Sequence, residues 1–312
     1  MGMKRRNFIK TGLAASLGAG SLHAADKTSC GLAMGTYGLQ AMSLPDAIRL
    51  VGGIGFDAIE ITVFPGMTGD PNGALSSSAS RDAVREALEE TGLRLCALMA
   101  DLRPEADDTK HKGQLETLNQ YIQLARELCP DSPPIIQTVL GGKVWEDSKN
   151  LFRDRIANWN QVLADQKGYL SIKPHRGSAM STPEQAIWLL KQLGNPRRLS
   201  MVYDYSHYSF REPEMTIVDT VEAALPITKY IAVKDAKEVD GKIRFDLPGA
   251  TGNWDQSEVV KRFFEGAYRG DFCCEVSSQI WRNNPSYDPV KSTQVCYDNM
   301  ADAFEKAGVA RG

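Results

Sequence analysis

The sequence predicts one α/β domain, a closed (β/α)8 barrel over residues 26–312. Three observations predict it. Short apolar runs alternate with longer amphipathic ones eight times, which implies parallel βαβ units. Right-handed crossovers allow either an open doubly wound sheet or a closed barrel, and eight repeats in this length favour closure. Ionisable residues gather at the C-terminal ends of the apolar runs, where barrels of this kind carry their sites.

The predicted strands are residues 31–37, 58–63, 94–100, 134–140, 169–175, 199–204, 230–235 and 272–275. The predicted helices are residues 44–53, 81–91, 112–128, 147–166, 183–193, 215–225, 255–268 and 289–307. Ser43 caps the first helix, and Pro45 pre-sets its first turn. Gly92 ends the second, and Ser181 or Thr182 caps the fifth. Two long irregular stretches, 65–80 and 237–254, each follow a strand and so belong to the catalytic face, where long loops act as lids.

Residues 1–25 read as a leader. Lys4-Arg5-Arg6-Asn7-Phe8-Ile9-Lys10 precedes a modest apolar run and the small residues Ala24 and Ala25. A basic start, a short apolar centre and a small-residue end make a signal peptide, and the twin arginines point to the Tat route. The expected location is therefore the periplasm. The run is too short and glycine-rich to anchor the chain in a bilayer, and no later run approaches membrane-spanning length. Removing the leader's four positive side chains takes the formal charge from −3 to −7. An acidic chain argues against nucleic acid and anionic membranes as partners, since both reward clustered Lys and Arg. The six cysteines form no CxxC pair, which argues against a structural zinc site; several sit in apolar runs as small buried residues. One disulfide is compatible with an oxidising compartment.

The strand ends supply the chemistry. Glu60 lies on the second strand, Lys173-Pro174-His175-Arg176 on the fifth, and Asp204 on the sixth with His207 just beyond. Lys234-Asp235 ends the seventh and Glu275 the eighth. Alternation puts Ser171, Lys173 and His175 on one face of the fifth strand, and the polar face should point into the barrel. Charge gathered at one rim is costly to bury unless function retains it. His111, at the start of a polar helix, is expected to face solvent.

The ordered set resembles the xylose isomerase-like TIM-barrel superfamily, which includes sugar-phosphate isomerases, ketose 3-epimerases and endonuclease IV. It is carried by Gly55-Phe56-Asp57-Ala58-Ile59-Glu60, Lys173-Pro174-His175, Tyr203-Asp204-Tyr205-Ser206-His207, Val233-Lys234-Asp235, Leu247-Pro248-Gly249 and the segment from Gly270-Asp271-Phe272 to Glu275. The resemblance spans almost all of residues 26–312 and implies a small carbohydrate substrate. It also implies one divalent cation held by a Glu, an Asp, a His and a Glu on the last four strands, the two Glu residues moving the substrate proton. Asp204 and Glu275 match that set, but Lys173 stands where the family has Glu and Ala232 where it has His.

Three expectations follow. In the first, the enzyme is metal-independent: Lys173, with His175 or His207, stabilises an enediolate, and Glu275 or Asp204 takes the proton. This makes an isomerase or epimerase, or a lyase acting on an oxidised sugar or glycoside. In the second, Asp204, Glu275 and His207 hold manganese, zinc or cobalt, with His175 or Glu60 as a further ligand. In the third, the scaffold only binds sugar. Glu60, Arg176, Lys234, Asp235, Trp254 and Trp281 are the expected substrate contacts, the tryptophans by stacking on a sugar face. Arg176 and Arg282 suit an anionic group. Barrels of this superfamily commonly pack together, which suggests a homodimer.

Overall fold

Eight parallel strands pair in chain order until the last meets the first, in a computed structural model that describes residues 28–312. The expected leader lies outside the described residues. The barrel strands are β1 (Ser29–Gly35), β2 (Ala58–Thr62), β3 (Arg94–Ala100), β4 (Ile135–Thr138), β5 (Leu170–Ile172), β6 (Leu199–Tyr203) and β7 (Thr228–Val233). A hairpin, β8 (Asp235–Val239) and β9 (Lys242–Asp246), precedes the closing strand β10 (Asp271–Cys274). β10 pairs in parallel with β7 on one side and β1 on the other. The result is a (β/α)8 TIM barrel. The short pair β11 (Ala310–Arg311) adds to β1.

The helices between strands are α1 (Leu44–Ile54), α2 (Ser78–Thr91), α3 (Asp108–Leu128), α4 (Trp145–Asp165), α5 (Pro183–Gln192), α6 (Ile217–Ala224) and α7 (Gln256–Glu265), then α8 (Ser278–Trp281) and α9 (Pro289–Ala307). Their boundaries follow local chemistry. Ser43 Oγ accepts the Asp46 N–H at 3.3 Å, and Gly55 closes α1 in the left-handed conformation at φ 109°. Thr182 and Gln185 form a capping box on α5. α3 begins four residues before the expected Lys112, because Asp107 caps it. His111 is therefore not solvent-facing as expected; it is buried and pairs with Asn158 of α4 at 3.0 Å.

Two apolar layers hold the barrel. Large side chains fill the space between strands and helices, with Trp159, Phe263 and Phe272 among the fully buried ones. Inside the strands, Ala33, Ala58, Ala97, Ala232 and Val202 surround Tyr230. Small residues on the inward positions make room for that one ring. Among the described residues no disulfide joins the six cysteines, and four of them are buried as expected. Among the described residues no helix is long and apolar enough to cross a membrane.

The stretch 237–254, expected to be irregular, holds most of the β8–β9 hairpin. Asp240 and Gly241 turn it with φ of 51° and 67°. An Asp-Gly pair at positive φ is a two-residue hairpin turn, so the signal was present in the sequence.

Candidate active site

Four barrel strands end one residue short of an ionisable side chain. β5 is followed by Lys173, β6 by Asp204, β7 by Lys234 and β10 by Glu275. These strands are neighbours in that order, so the charges alternate around the rim as cation, anion, cation, anion. All four side chains are buried, Lys173 to 1 % and Lys234 to 2 % exposure.

The four close into a ring. Lys173 Nζ lies 2.7 Å from Asp204 Oδ2 and 2.6 Å from Glu275 Oε2. Lys234 Nζ lies 2.6 Å from the same Asp204 oxygen and 2.7 Å from Glu275 Oε1. Ser206 donates to Asp204 Oδ1 through its hydroxyl at 2.5 Å and its backbone N–H at 3.2 Å. Burial alone would raise both carboxyls, but the two ammoniums outweigh it and hold both below the usual carboxylate range. Burial likewise opposes the charge on Lys173, and the two carboxylates overcome it, pushing the ammonium above its ordinary value. Each ammonium has three N–H donors and spends two in the ring.

Two histidines border the ring. The His175 and His207 ring centroids are 4.0 Å apart. His207 Nδ1 accepts the Arg176 N–H at 3.3 Å, so its own proton sits on Nε2, a long 3.4 Å from Asp204 Oδ2. Burial and then the charge of Lys234 lower the pKa of both; His175 falls to about 4. His175 is therefore a neutral imidazole at neutral pH, and it lines the cleft. Phe245, carried by β9, lies edge-on to His207 at 4.9 Å and 5.1 Å from Lys234 Nζ. Gln279 Oε1 accepts the Phe245 N–H at 3.0 Å and ties the hairpin to α8.

Glu60 lies inside the barrel, 1 % exposed. Gln137 Nε2 and Tyr230 Oη both donate to its Oε2, at 3.0 and 2.9 Å. Gly35 gives it room, since a Cβ there would stand 2.9 Å from Glu60 Oε1. Burial and then the charge of Glu275 raise its pKa to about 7.

Above the ring opens a cleft of about 390 Å³. Lys173, Lys234, Glu275 and His175 line its floor; Tyr37, Phe64, Arg103 and Arg282 belong to its walls. The other expected substrate contacts divide. Trp281 stands behind Tyr37, edge-on at 5.2 Å, and Arg282 lies over its ring. Arg176 donates to the Ser209 carbonyl and lines a separate hollow beside Arg211. Asp235 accepts from Thr251 and Gln256, which ties down the loop after the hairpin. Trp254 packs on Tyr205 and lines a third hollow. Of the six expected substrate contacts, Lys234 lines this cleft, and Glu60, Arg176, Asp235, Trp254 and Trp281 do not. Sequence reasoning missed Gln137, Tyr230 and Phe245. Gln137 was signalled as the one amide in a strand whose other residues are isoleucines and a threonine.

A divalent cation does not suit this donor set. Both carboxylates of the expected metal site are already bridged by two ammoniums, and Asp204 offers the same oxygen, Oδ2, to both. Ala232 offers no ligand and sits in the apolar layer around Tyr230. Among the described residues no group of three or more His, Cys, Asp or Glu side chains is arranged to hold a metal ion.

The family model for the xylose isomerase-like TIM barrel matches residues 48–308. No curated protein matches the chain. Solved structures do match it. A xylose isomerase-like TIM barrel/4-hydroxyphenylpyruvate dioxygenase fusion protein is 13% identical, with a TM-score of 0.68 over 89% of this chain and 43% of that one. This chain thus spans less than half of the fusion protein. The 3-keto-D-glucoside 4-epimerase YcjR from E. coli is 14% identical, with a TM-score of 0.64 over 89% and 99% of the two chains. The IOLI protein with a bound zinc atom is 16% identical, with a TM-score of 0.71 over 89% and 99%. Likeness at these identities is likeness of fold.

Proposed function

The chain belongs to the xylose isomerase-like TIM barrel family, and from that premise we propose that it is a sugar isomerase or epimerase that removes a proton next to a carbonyl. One observation carries this reading: a buried pair of ammonium groups at the floor of a cleft, beside a neutral imidazole. The third N–H of Lys173 or Lys234 donates to the substrate's carbonyl oxygen. As the proton leaves the adjacent carbon, negative charge grows on that oxygen, and the fixed ammoniums stabilise it. His175 is the base. Glu275 and Asp204 are poorly suited to that role, because the ammoniums hold their pKa values down, and they position the lysines instead. Burial and then both lysines disfavour the imidazolium formed on His175. It therefore returns the proton to the neighbouring carbon, which isomerises the sugar; epimerisation at the first carbon takes a proton from a second donor on the opposite face. Elimination from a keto-sugar would pass through the same intermediate, with a leaving group expelled in place of reprotonation.

The fold shared with a 3-keto-D-glucoside 4-epimerase supports a keto-sugar substrate. Arg282 supports an acidic one, since among the described residues no carboxylate pairs with it and its contact with the Tyr37 hydroxyl is long, 3.5 Å. We place the enzyme in the periplasm, exported through its twin-arginine leader. A second reading, sugar binding without chemistry, draws on the fact that the floor is already charge-balanced in the free protein. The test is proton exchange: keto-sugars incubated in D2O with the protein, followed by NMR. Deuterium entering one carbon next to the carbonyl supports the enzyme. Binding without exchange at any carbon would leave only the second reading.

A further inference from the structure

We propose that Lys173 and Lys234 together form a built-in dication that takes the place of the family's divalent metal and keeps such metals out. The inference deepens the proposed function in its kinetic arm, whereas its metal-binding arm stands without it.

The geometry carries the argument. A cation held by Asp204 and Glu275 needs their inward oxygens, and the lysines occupy three of them at 2.6–2.7 Å. Asp204 Oδ1, the remaining oxygen, accepts from Ser206. The charges also match. Two ammoniums supply the charge of one divalent ion and leave the ring of two cations and two carboxylates neutral. A metal entering this ring would meet two positive charges in place of two ligands.

Burial fixes the pair. Neither lysine reaches water enough to swing away: Lys234 is held by the strand ends on both sides of it, and Lys173 by the neighbouring end of β6 and, across the mouth, that of β10. The pair offers something narrower than a metal would. Ammonium N–H groups donate to a forming oxyanion but have no empty orbital for a water lone pair. The floor therefore suits carbonyl polarisation and does not make a strong hydroxide nucleophile.

The experiment uses the full, tag-free chain. Wild type, Lys173→Glu and Lys173→Met are incubated with Mn2+ or Zn2+, desalted, and measured by elemental mass spectrometry and titration calorimetry, with circular dichroism confirming the fold. Wild type is expected to retain no stoichiometric metal. Lys173→Glu, which restores the family's carboxylate at that strand end, is expected to bind at least about tenfold tighter than wild type. Lys173→Met, which only removes one positive charge, should move in the same direction by less. One equivalent of metal in wild type, removed by mutating Asp204, would overturn the inference. So would folded variants that bind no better than wild type. In the kinetic arm, deuterium exchange by wild type should be indifferent to EDTA, and abolition by EDTA would also overturn it. If no sugar exchanges at all, the proposed function fails, while the metal measurements still decide this inference.

Discussion

Replacing Glu60 by Gln turns the buried carboxyl beneath the ring into a measurable quantity. Glu60 is 1 % exposed, and its pKa is raised from 4.5 to about 7, first by burial and then by the charge of Glu275. Between those two pH values the folded carboxyl keeps its proton and the unfolded one has lost it. The folded state then binds more protons, so stability falls as pH rises through this window and levels off above about 7. A gap of about 2.5 pKa units at about 1.4 kcal/mol each gives a cost of about 3.5 kcal/mol above pH 7. Gln has no proton to lose and keeps an oxygen for the Tyr230 and Gln137 donors. Urea unfolding of both proteins, from below pH 4.5 to above pH 8 at constant ionic strength, reads the difference. The variant should match wild type at the acid end to within about 1 kcal/mol and be more stable by about 3.5 kcal/mol at the alkaline end. A difference that stays flat with pH, or one that favours wild type as pH rises, would refute this account of Glu60.

Further outcomes follow from the same geometry. Lys234→Met leaves Asp204 and Glu275 with one ammonium between them; breaking buried pairs of this kind costs about 3–5 kcal/mol, and an unchanged urea midpoint would show the ring carries no such energy. His175→Asn should slow deuterium exchange by about 10²–10⁴-fold with little change in sugar binding, and wild-type exchange should fall away as pH drops through about 4, where His175 takes up a proton. Arg282→Ala should weaken binding of a uronate in calorimetry while leaving the matching neutral sugar unaffected; equal loss for both would remove the arginine's charge from recognition. Arg5→Lys with Arg6→Lys should retain the protein in the cytoplasm, as cell fractionation would show, and normal export of that variant would argue against the Tat route.

Much of this molecule is written in local patterns. Alternating apolar and amphipathic runs dictated the barrel, because a parallel strand buried on both faces must be apolar and its crossover helix must have one apolar side. Ser43, Gly92 and Thr182 marked helix ends through backbone geometry that needs no distant partner. The strand-end positions of Lys173, Asp204, Lys234 and Glu275 were equally legible, since the C-terminal ends of barrel strands converge whatever the loops do.

What strand alternation could not supply was depth and direction. Lys234 and Asp235 point opposite ways, as alternation requires, but only the structure shows that Lys234 is the one in the ring and that Asp235 goes to Thr251 and Gln256. His111 lies in a polar stretch and is buried only because α4 brings Asn158 against it. Glu60 gave no sign that Tyr230, 170 residues away, would reach across the barrel to it. The ring itself depends on the tilt and register of four strands, which bring two lysines 61 positions apart onto one oxygen of Asp204. The sequence alone determined which residues stand at the mouth of the barrel. Only the closed sheet decided which of them touch, because side-chain contact across a barrel is set by the relative heights of strands that no local pattern encodes.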